Sequence, residues 1–168
     1  RRREEVMKLG VIVPYRGRPT HLRKFKDHIT TYLKSKNISF QIIVVEQTDT
    51  LPFNRGKLLN IGFLEALKKR CDYVVFHDVD MLPLRVDYSP SDVPLHLSTL
   101  FKGGNQEVFD TYFGGVTMFP IDAFKKINGY SNEYWGWGFE DDDVLLRLTE
   151  QNIGTDFEVY ESEKEFNA

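Results

Sequence analysis

The sequence is poor in cysteine, in excess charge and in long apolar runs, and each shortage excludes something. Cys71 is the one cysteine among 168 residues, so the chain can close no internal disulfide. That rules out the stapled framework of small secreted folds without deciding a compartment. The formal net charge is −3, and no Lys/Arg run follows the opening Arg1–Arg3 triplet, which reads as a tail. The composition therefore gives no electrostatic case for nucleic acid. No apolar stretch approaches the roughly 20 residues that cross a bilayer, and no signal-peptide pattern is visible. A Gly-rich phosphate loop is missing too, which argues against nucleotidyl transfer. There are no repeats and no low-complexity tracts. The chain begins at Arg1 rather than Met and is expected to be a piece of something longer, with a membrane anchor outside it left open.

What is present is enough for one domain with a core: 41% hydrophobic and 28% charged residues, as in ordinary globular proteins. Leu9–Val13 is a short apolar run stopped by Pro14, and "FQIIVVEQ" and "DYVVFHDVD" are two more. Their length and β-branched content predict buried strands. Between them lie two helical patterns. Thr20 reads as N-cap of the first, with Leu22, Phe25, Ile29, Tyr32 and Leu33 as its apolar stripe; "LLNIGFLEALKKR" is the second. Strand–helix–strand–helix–strand at this spacing predicts an α/β domain with a largely parallel sheet. Regularity drops from about residue 85 into a long excursion. "YFGGVTMF" is a further strand, "IDAFKKING" a short helix with Gly129 as C-cap, and "DDVLLRLTEQN" a helix ending near Gly154. Residues 1–7 and 155–168 are expected to be flexible or peripheral ends.

In such sheets ligands sit beyond the carboxyl ends of the strands, and here those ends carry "PYRGR", "EQTDT" and "HDVD". Alternation sets Asp78 and Asp80 on one side, with Val79 turned to the core. Two carboxylates projecting together suit a hard cation such as Mn²⁺ or Mg²⁺, completed by diphosphate oxygens; a solvated turn is the plain alternative. Arg16 and Arg18 suit phosphate or a base edge, or are simply surface arginines. Arg55 and Lys57, just before the second helix, again suit a diphosphate. Gly114–Gly115 would let backbone approach a ligand, with Tyr112 as a wall, or mark a bulge. His77 and His96 could each ligate a metal, the structural reading being the plainer one; Met81, Met118 and Cys71 are read as core or incidental. "YWGWGFEDDD" (134–143) differs in kind: aromatic faces stack on sugar rings while carboxylates accept hydrogen bonds from hydroxyls. A carboxylate crowded against an aromatic wall also has its pKa raised, as a general base requires.

With these residues in hand, the chain resembles the β-1,4-galactosyltransferase family of inverting, metal-dependent enzymes. "VPYRGR", "FNRGKLLNIGF", "HDVDMLPL", "YFGGV" and "YWGWGFEDDD" follow in order from residue 11 to about 150, and "HDVDMLPL" looks nearest to the branch that acts on xylose in proteoglycan linkers. The resemblance implies a GT-A (nucleotide-diphospho-sugar transferase) fold, one Rossmann-like catalytic domain over 1–168, and a UDP-galactose donor. It implies donor contacts from Pro14, Arg16, Arg18, Phe53, Arg55, Asp78, Val79, Gly115, Trp137 and Glu140, with Trp137 on a mobile loop. It implies Mn²⁺ on Asp80, Asp141 as general base, and Tyr134 and Asp142 toward the acceptor, a glycan or glycoconjugate. Tyr112 matches the position where a bulky Tyr favours galactose over N-acetylgalactosamine. A UDP-N-acetylgalactosamine donor, or an impaired UDP- or sugar-binding module, stays open as an alternative. Phe139 stands where many members have Gly or a polar residue. Family metal sites are completed by a His beyond the acidic cluster, and none occurs here after His96: either the C-terminal part lies outside this chain, or fewer protein ligands hold the ion. The implied compartment is the Golgi lumen for a eukaryotic source and the cytoplasm for a bacterial or viral one.

Overall fold

Three apolar runs become the strands on which everything else is hung. In the computed structural model, residues 6–101, 113–157 and 160–164 are described. Strand β1 (Lys8–Tyr15) lies between β2 (Ser39–Glu46) and β3 (Tyr73–His77). It pairs in parallel with both, Val11 facing Ile42 on one side and Val75 on the other. Helices α1 (Pro19–Ser35) and α2 (Arg55–Lys68) make the crossovers. Phe25, Ile29 and Leu33 of α1 pack with Leu9, Val11, Val13 and Val75. Leu59, Phe63 and Ala66 of α2 pack with Ile12, Val74 and Phe76. Successive strand residues point to opposite faces, so a sheet covered on both sides needs runs that are apolar throughout.

Beyond β3 the chain makes β4 (Met81–Arg85), β5 (Leu95–His96), β6 (Leu100–Phe101) and β7 (Val116–Pro120). Helices α3 (Ile121–Lys126) and α4 (Glu140–Glu150) follow, then β8 (Asp156–Phe157) and β9 (Glu161–Lys164). The main sheet runs β2-β1-β3-β7-β5-β8. Its first three strands are parallel, and it reverses at β7, which pairs antiparallel with both β3 and β5. A second sheet, β4-β9-β6, stands beside it.

Several local expectations are corrected. Thr20 is inside α1 rather than its cap: Arg18 is the N-cap residue and Pro19 opens the helix, where its missing N–H and fixed φ cost nothing. Arg55 and Lys57 stand within the first turn of α2, not before it, because Asn54 caps the helix by accepting from the Lys57 amide. At the end of α3 the left-handed residue that first reverses the chain is Asn128, with Gly129 one position later. Their amides bond the Lys125 and Phe124 carbonyls, the paired pattern of a Schellman stop. The end expected to be flexible or peripheral contains β8 and β9; β9 is the middle strand of the small sheet, with Tyr160 and Ser162 buried. Four residues are too few to show an apolar period, so long-range pairing decided that strand.

Candidate active site

The carboxyl ends of β1, β2 and β3 open onto one surface, and the first turn of α4 borders it. Its centre is Arg55. Helix α2 starts beneath the turn after β3, so the Arg55 Nε donates to Asp78 Oδ1 at 2.8 Å, and its Nη1 lies 3.7 Å from Glu140 Oε1. Nη2 reaches toward the Gly115 carbonyl at 3.5 Å. The Arg55 and Glu140 side chains are only 11% and 10% exposed, so this is an interior ion cluster rather than a surface bridge. Burial works against the guanidinium charge, but Asp78, the Tyr130 phenol and Glu140 outweigh it and hold the group above its ordinary pKa. Burial pushes the Glu140 carboxyl up, with Arg55 pulling back. Arg55 is therefore engaged by protein carboxylates and organises the site.

Gly115 takes φ +71, and a Cβ there would sit 2.8 Å from Ser98 Oγ. That left-handed turn lets its carbonyl accept from the Asp78 amide at 2.9 Å. Strand alternation does not reach residues 78–80, because β3 ends at His77 and they form a turn; within that turn Val79 is buried in the core while Asp78 and Asp80 stay partly exposed. Asp80 lies 3.8 Å from Arg18. Burial, then the neighbouring Asp78 charge, raise its carboxyl, while Lys164 and Arg18 pull it down. Asp78 is already paired with Arg55, so Asp80, half-buried, with its carboxyl raised and Arg18 no closer than 3.8 Å, is the member of the pair that suits a hard cation. Among the described residues no group of three His, Cys, Asp or Glu side chains could hold a metal, so phosphate oxygens and water would have to complete its shell, as Mg²⁺ commonly requires. His77 is excluded as a ligand. Its Nδ1–H donates to the Asp78 carbonyl and its Nε2 accepts from Tyr88, and burial lowers its pKa to about 4. His96 turns Nε2 to the Gly114 carbonyl, 2.9 Å away.

On the β1–β2 side, Arg16 donates to the Leu51 carbonyl at 2.6 Å and lies 5.6 Å over the Phe53 ring. It thereby holds the 49–53 loop against the end of β1, where Pro14 is buried. On the α4 side, the four-residue acidic run becomes a first helical turn, where carboxylates meet unpaired amides and the positive end of the helix dipole. Asp141 accepts the Asp142 amide at 2.9 Å. Even so its pKa is raised, by burial first and by the Asp142 charge. Asp142 is exposed. Upstream, Gly136 and Gly138 take φ +88 and +90, a backbone that leaves Trp137 95% exposed. Phe139 is the N-cap of α4 at φ +74 and lies 6.4 Å from the Tyr134 ring. Tyr112 lies outside the described residues.

Two contributors escaped the sequence reading. Lys164 is brought next to Asp80 by the register of β9, which sets it opposite Met81; no local pattern signals such a pairing. Gln47, at the end of β2, is buried and binds Asp49 Oδ1, the Pro52 carbonyl and the Asn54 amide. A glutamine closing a polar loop has no spacing signature.

Known proteins similar in sequence to this chain fall in one family. A family model described as "N-terminal region of glycosyl transferase group 7" matches residues 3–89, and one described as "N-terminal domain of galactosyltransferase" matches 95–166. The chain is 41% identical over 150 residues to xylosylprotein 4-beta-galactosyltransferase of Caenorhabditis elegans, covering 87% of this chain and 52% of that protein. It is 43% identical over 145 residues to beta-1,4-galactosyltransferase 6 of Rattus norvegicus, covering 84% and 38%. The chain thus spans about half the length, or less, of these relatives. The catalytic domain of Drosophila beta1,4galactosyltransferase 7, solved with xylobiose, superposes with a TM-score of 0.83 at 36% identity, covering 90% of this chain and 65% of that one. A mutant of that protein was solved with manganese, UDP-Gal and xylobiose. A mannosyltransferase from Pyrobaculum calidifontis, at 10% identity and a TM-score of 0.59, shares the fold alone. Fold, site and matched relatives agree that this chain, an α/β domain of GT-A architecture, belongs to the β-1,4-galactosyltransferase family.

Proposed function

We propose that this chain carries the catalytic domain of an enzyme that transfers galactose from UDP-galactose to a sugar hydroxyl with inversion, xylose being the favoured acceptor class. The observation that carries this reading is the α4 first turn. A carboxylate whose pKa is raised by burial, Asp141, stands one residue from Glu140, which joins the Arg55–Asp78 cluster. A base and a charged donor-side cluster are thereby set side by side, as displacement at a sugar carbon requires.

Asp141 takes the proton of the acceptor hydroxyl as that oxygen attacks the anomeric carbon. The new C–O bond forms on the face opposite the bond to UDP, which breaks with its electron pair going to the diphosphate. Glu140 and Asp78, fixed by Arg55, contact the galactose hydroxyls. Pro14, Arg16, Phe53 and Val79 shape the nucleotide side, and Arg18 faces the phosphates beside Asp80. Asp80 would hold Mn²⁺, which when bound neutralises charge on the leaving diphosphate. Gly115 offers backbone to the donor sugar, Trp137 covers the diphosphate, Tyr134 and Asp142 orient the acceptor, and Tyr112 crowds a 2-acetamido group. Covering the site limits loss of donor to water.

The relatives' printed names support both donor and acceptor class: a xylosylprotein galactosyltransferase, and a neighbour solved with UDP-Gal and xylobiose. The test is turnover of UDP-galactose with Mn²⁺ by the full-length protein on a β-xyloside, with a glucosaminide acceptor and UDP-N-acetylgalactosamine as competing arms. Galactosyl-xyloside as the main product supports the reading. Transfer only from UDP-N-acetylgalactosamine, or UDP binding without turnover on either acceptor, overturns it.

A further inference from the structure

Asn54 is 2% exposed, yet it carries one of the most polar side chains in the interior, and every polar atom of that side chain is used. Its Oδ1 accepts from the Lys57 amide at 3.0 Å, capping α2. Its Nδ2 donates to the Asn132 carbonyl at 2.7 Å, across 78 positions of sequence. Its backbone amide donates to Gln47 Oε1 at 2.8 Å, and Gln47 Nε2 holds Asp49 Oδ1 and the Pro52 carbonyl. Asn132 is tied a second time: its Oδ1 accepts from Asn60 Nδ2 at 2.8 Å. Asn60 also bonds both the carbonyl and the amide of Tyr130. Four residues past Asn132, the Gly136 amide donates to the Phe53 carbonyl at 2.7 Å.

These bonds make one polar seam. The loop after β2, the N-terminus of α2 and the segment leading into residues 134–139 share it. Helix capping accounts for Oδ1 alone, since Ser, Thr or Asp would cap as well; it does not account for the amide nitrogen. Among the described residues that nitrogen is the side-chain donor from the cap to the root of the aromatic segment. The segment is otherwise held by the Gly136 amide on the Phe53 carbonyl and by the Tyr134 hydroxyl 3.4 Å from Asp143 Oδ1, while Trp137 is 95% exposed and Gly136, Gly138 and Phe139 are left-handed.

We infer that Asn54 is a positioning residue: its side-chain amide fixes the root of residues 134–139 to the loop carrying Phe53, so that the aromatic segment and the first turn of α4 keep their place relative to the donor side. The inference rests on the donor reading above only for its catalytic consequence. The tether exists with or without ligand.

The experiment compares wild type, Asn54→Ser and Asn54→Asp in the full-length protein. Serine keeps a capping oxygen and removes the amide donor. Aspartate keeps the shape and the capping oxygen and sets an acceptor against the Asn132 carbonyl, so it opens no cavity and stays informative if serine impairs folding. The first readout is acrylamide quenching of tryptophan emission without ligand, together with trypsin or chymotrypsin cleavage within 130–140. The second is kcat and KM for UDP-galactose with Mn²⁺. Both variants are expected to keep the circular dichroism of wild type while quenching and cleavage rise. The expected fall in kcat is about threefold to tenfold, the worth of one hydrogen bond, with KM for the donor changed less than kcat. Wild-type quenching and cleavage in folded Asn54→Ser overturn the tether. A raised KM with unchanged kcat overturns the positioning role and leaves Asn54 a structural cap. Failure of wild type itself to turn over UDP-galactose sinks the functional reading, and the ligand-free readout then decides the tether by itself.

Discussion

The Arg55 guanidinium bridges Asp78, at 2.8 Å, to Glu140, at 3.7 Å, tying the turn after β3 to the first turn of α4. Two carboxylates this close, one of them buried, are tolerable because a cation stands between them. Removing one partner of a buried pair costs about 3–5 kcal/mol, since the remaining charge is left uncompensated. Arg55→Met is therefore expected to destabilise by roughly that amount, and Arg55→Lys by less, because lysine keeps the charge but cannot form the fork. Urea unfolding at neutral pH checks the order. Equal stability of Arg55→Met and wild type would show that the cluster holds nothing together.

Asp141 gives a prediction in both rate and pH. A base must be ionised to accept a proton, and burial raises this carboxyl from its ordinary 3.8. The acid limb of kcat/KM is thus expected to fall as pH drops through a value above that of a free aspartate. Asp141→Asn should lower kcat by roughly a hundredfold to ten-thousandfold, the usual worth of a general base, with UDP affinity nearly unchanged. Rate measurements across the mildly acidic range, with isothermal titration of UDP and Mn²⁺, test it. Wild-type turnover in Asp141→Asn would remove the base from this position.

The strands, both crossover helices and the acidic turn were legible because local pattern dictates them. Leu9–Val13 and Tyr73–Phe76 can be nothing but buried strand when helices cover both faces of the sheet. Glu140–Asp143 can hardly avoid a helix N-terminus, where four carboxylates meet free amides. What could not be read was whatever depends on distant partners. That Arg55 meets Asp78 and Glu140 is written in no local pattern, because Glu140 lies far along the chain and arrives only with α4. Ser162 and Lys164 become strand because β4 presents an open edge. Asn54 was legible as neither cap nor tether, since its amide finds Asn132 only after the whole sheet has formed.

His77 makes stability depend on pH in a way its neighbours do not. The neutral ring donates to the Asp78 carbonyl and accepts from Tyr88, and its pKa falls from 6.5 to about 4 on burial. A folded pKa below the unfolded one means that this stability is present above pH 6.5 and is lost as pH falls toward 4. Between about pH 7.5 and about pH 5, His77 should account for a loss of about 2 kcal/mol. His77→Gln keeps a donor and an acceptor without titrating. Its urea-derived stability should therefore fall less than that of wild type over the same interval. Parallel losses in the two proteins would place the pH dependence in a group other than His77. The Asp80, Glu140 and Asp141 carboxyls cannot supply it: their pKa values are raised, so they stabilise the fold as pH falls.

Phe139 is the N-cap of α4 in the left-handed region, at φ +74, with its ring 66% exposed. A bulky side chain there is strained by about 1–2 kcal/mol relative to glycine, and little buried area offsets it. The Phe139 carbonyl still accepts the Asp143 amide at 2.9 Å, so the helix needs the residue's backbone but not its ring. Phe139→Gly is expected to raise the urea midpoint or leave it unchanged, glycine's greater freedom when unfolded taking back part of the gain. The cost should appear in catalysis. Without the ring beside Tyr134, KM for the acceptor should rise while KM for UDP-galactose stays near wild type. Phe139→Ala separates the two effects, because it loses the ring and keeps most of the strain: it should share the acceptor defect without the stability gain. If both variants bind acceptor as wild type does, the ring is spectator to catalysis and the strain at Phe139 serves no purpose in this site.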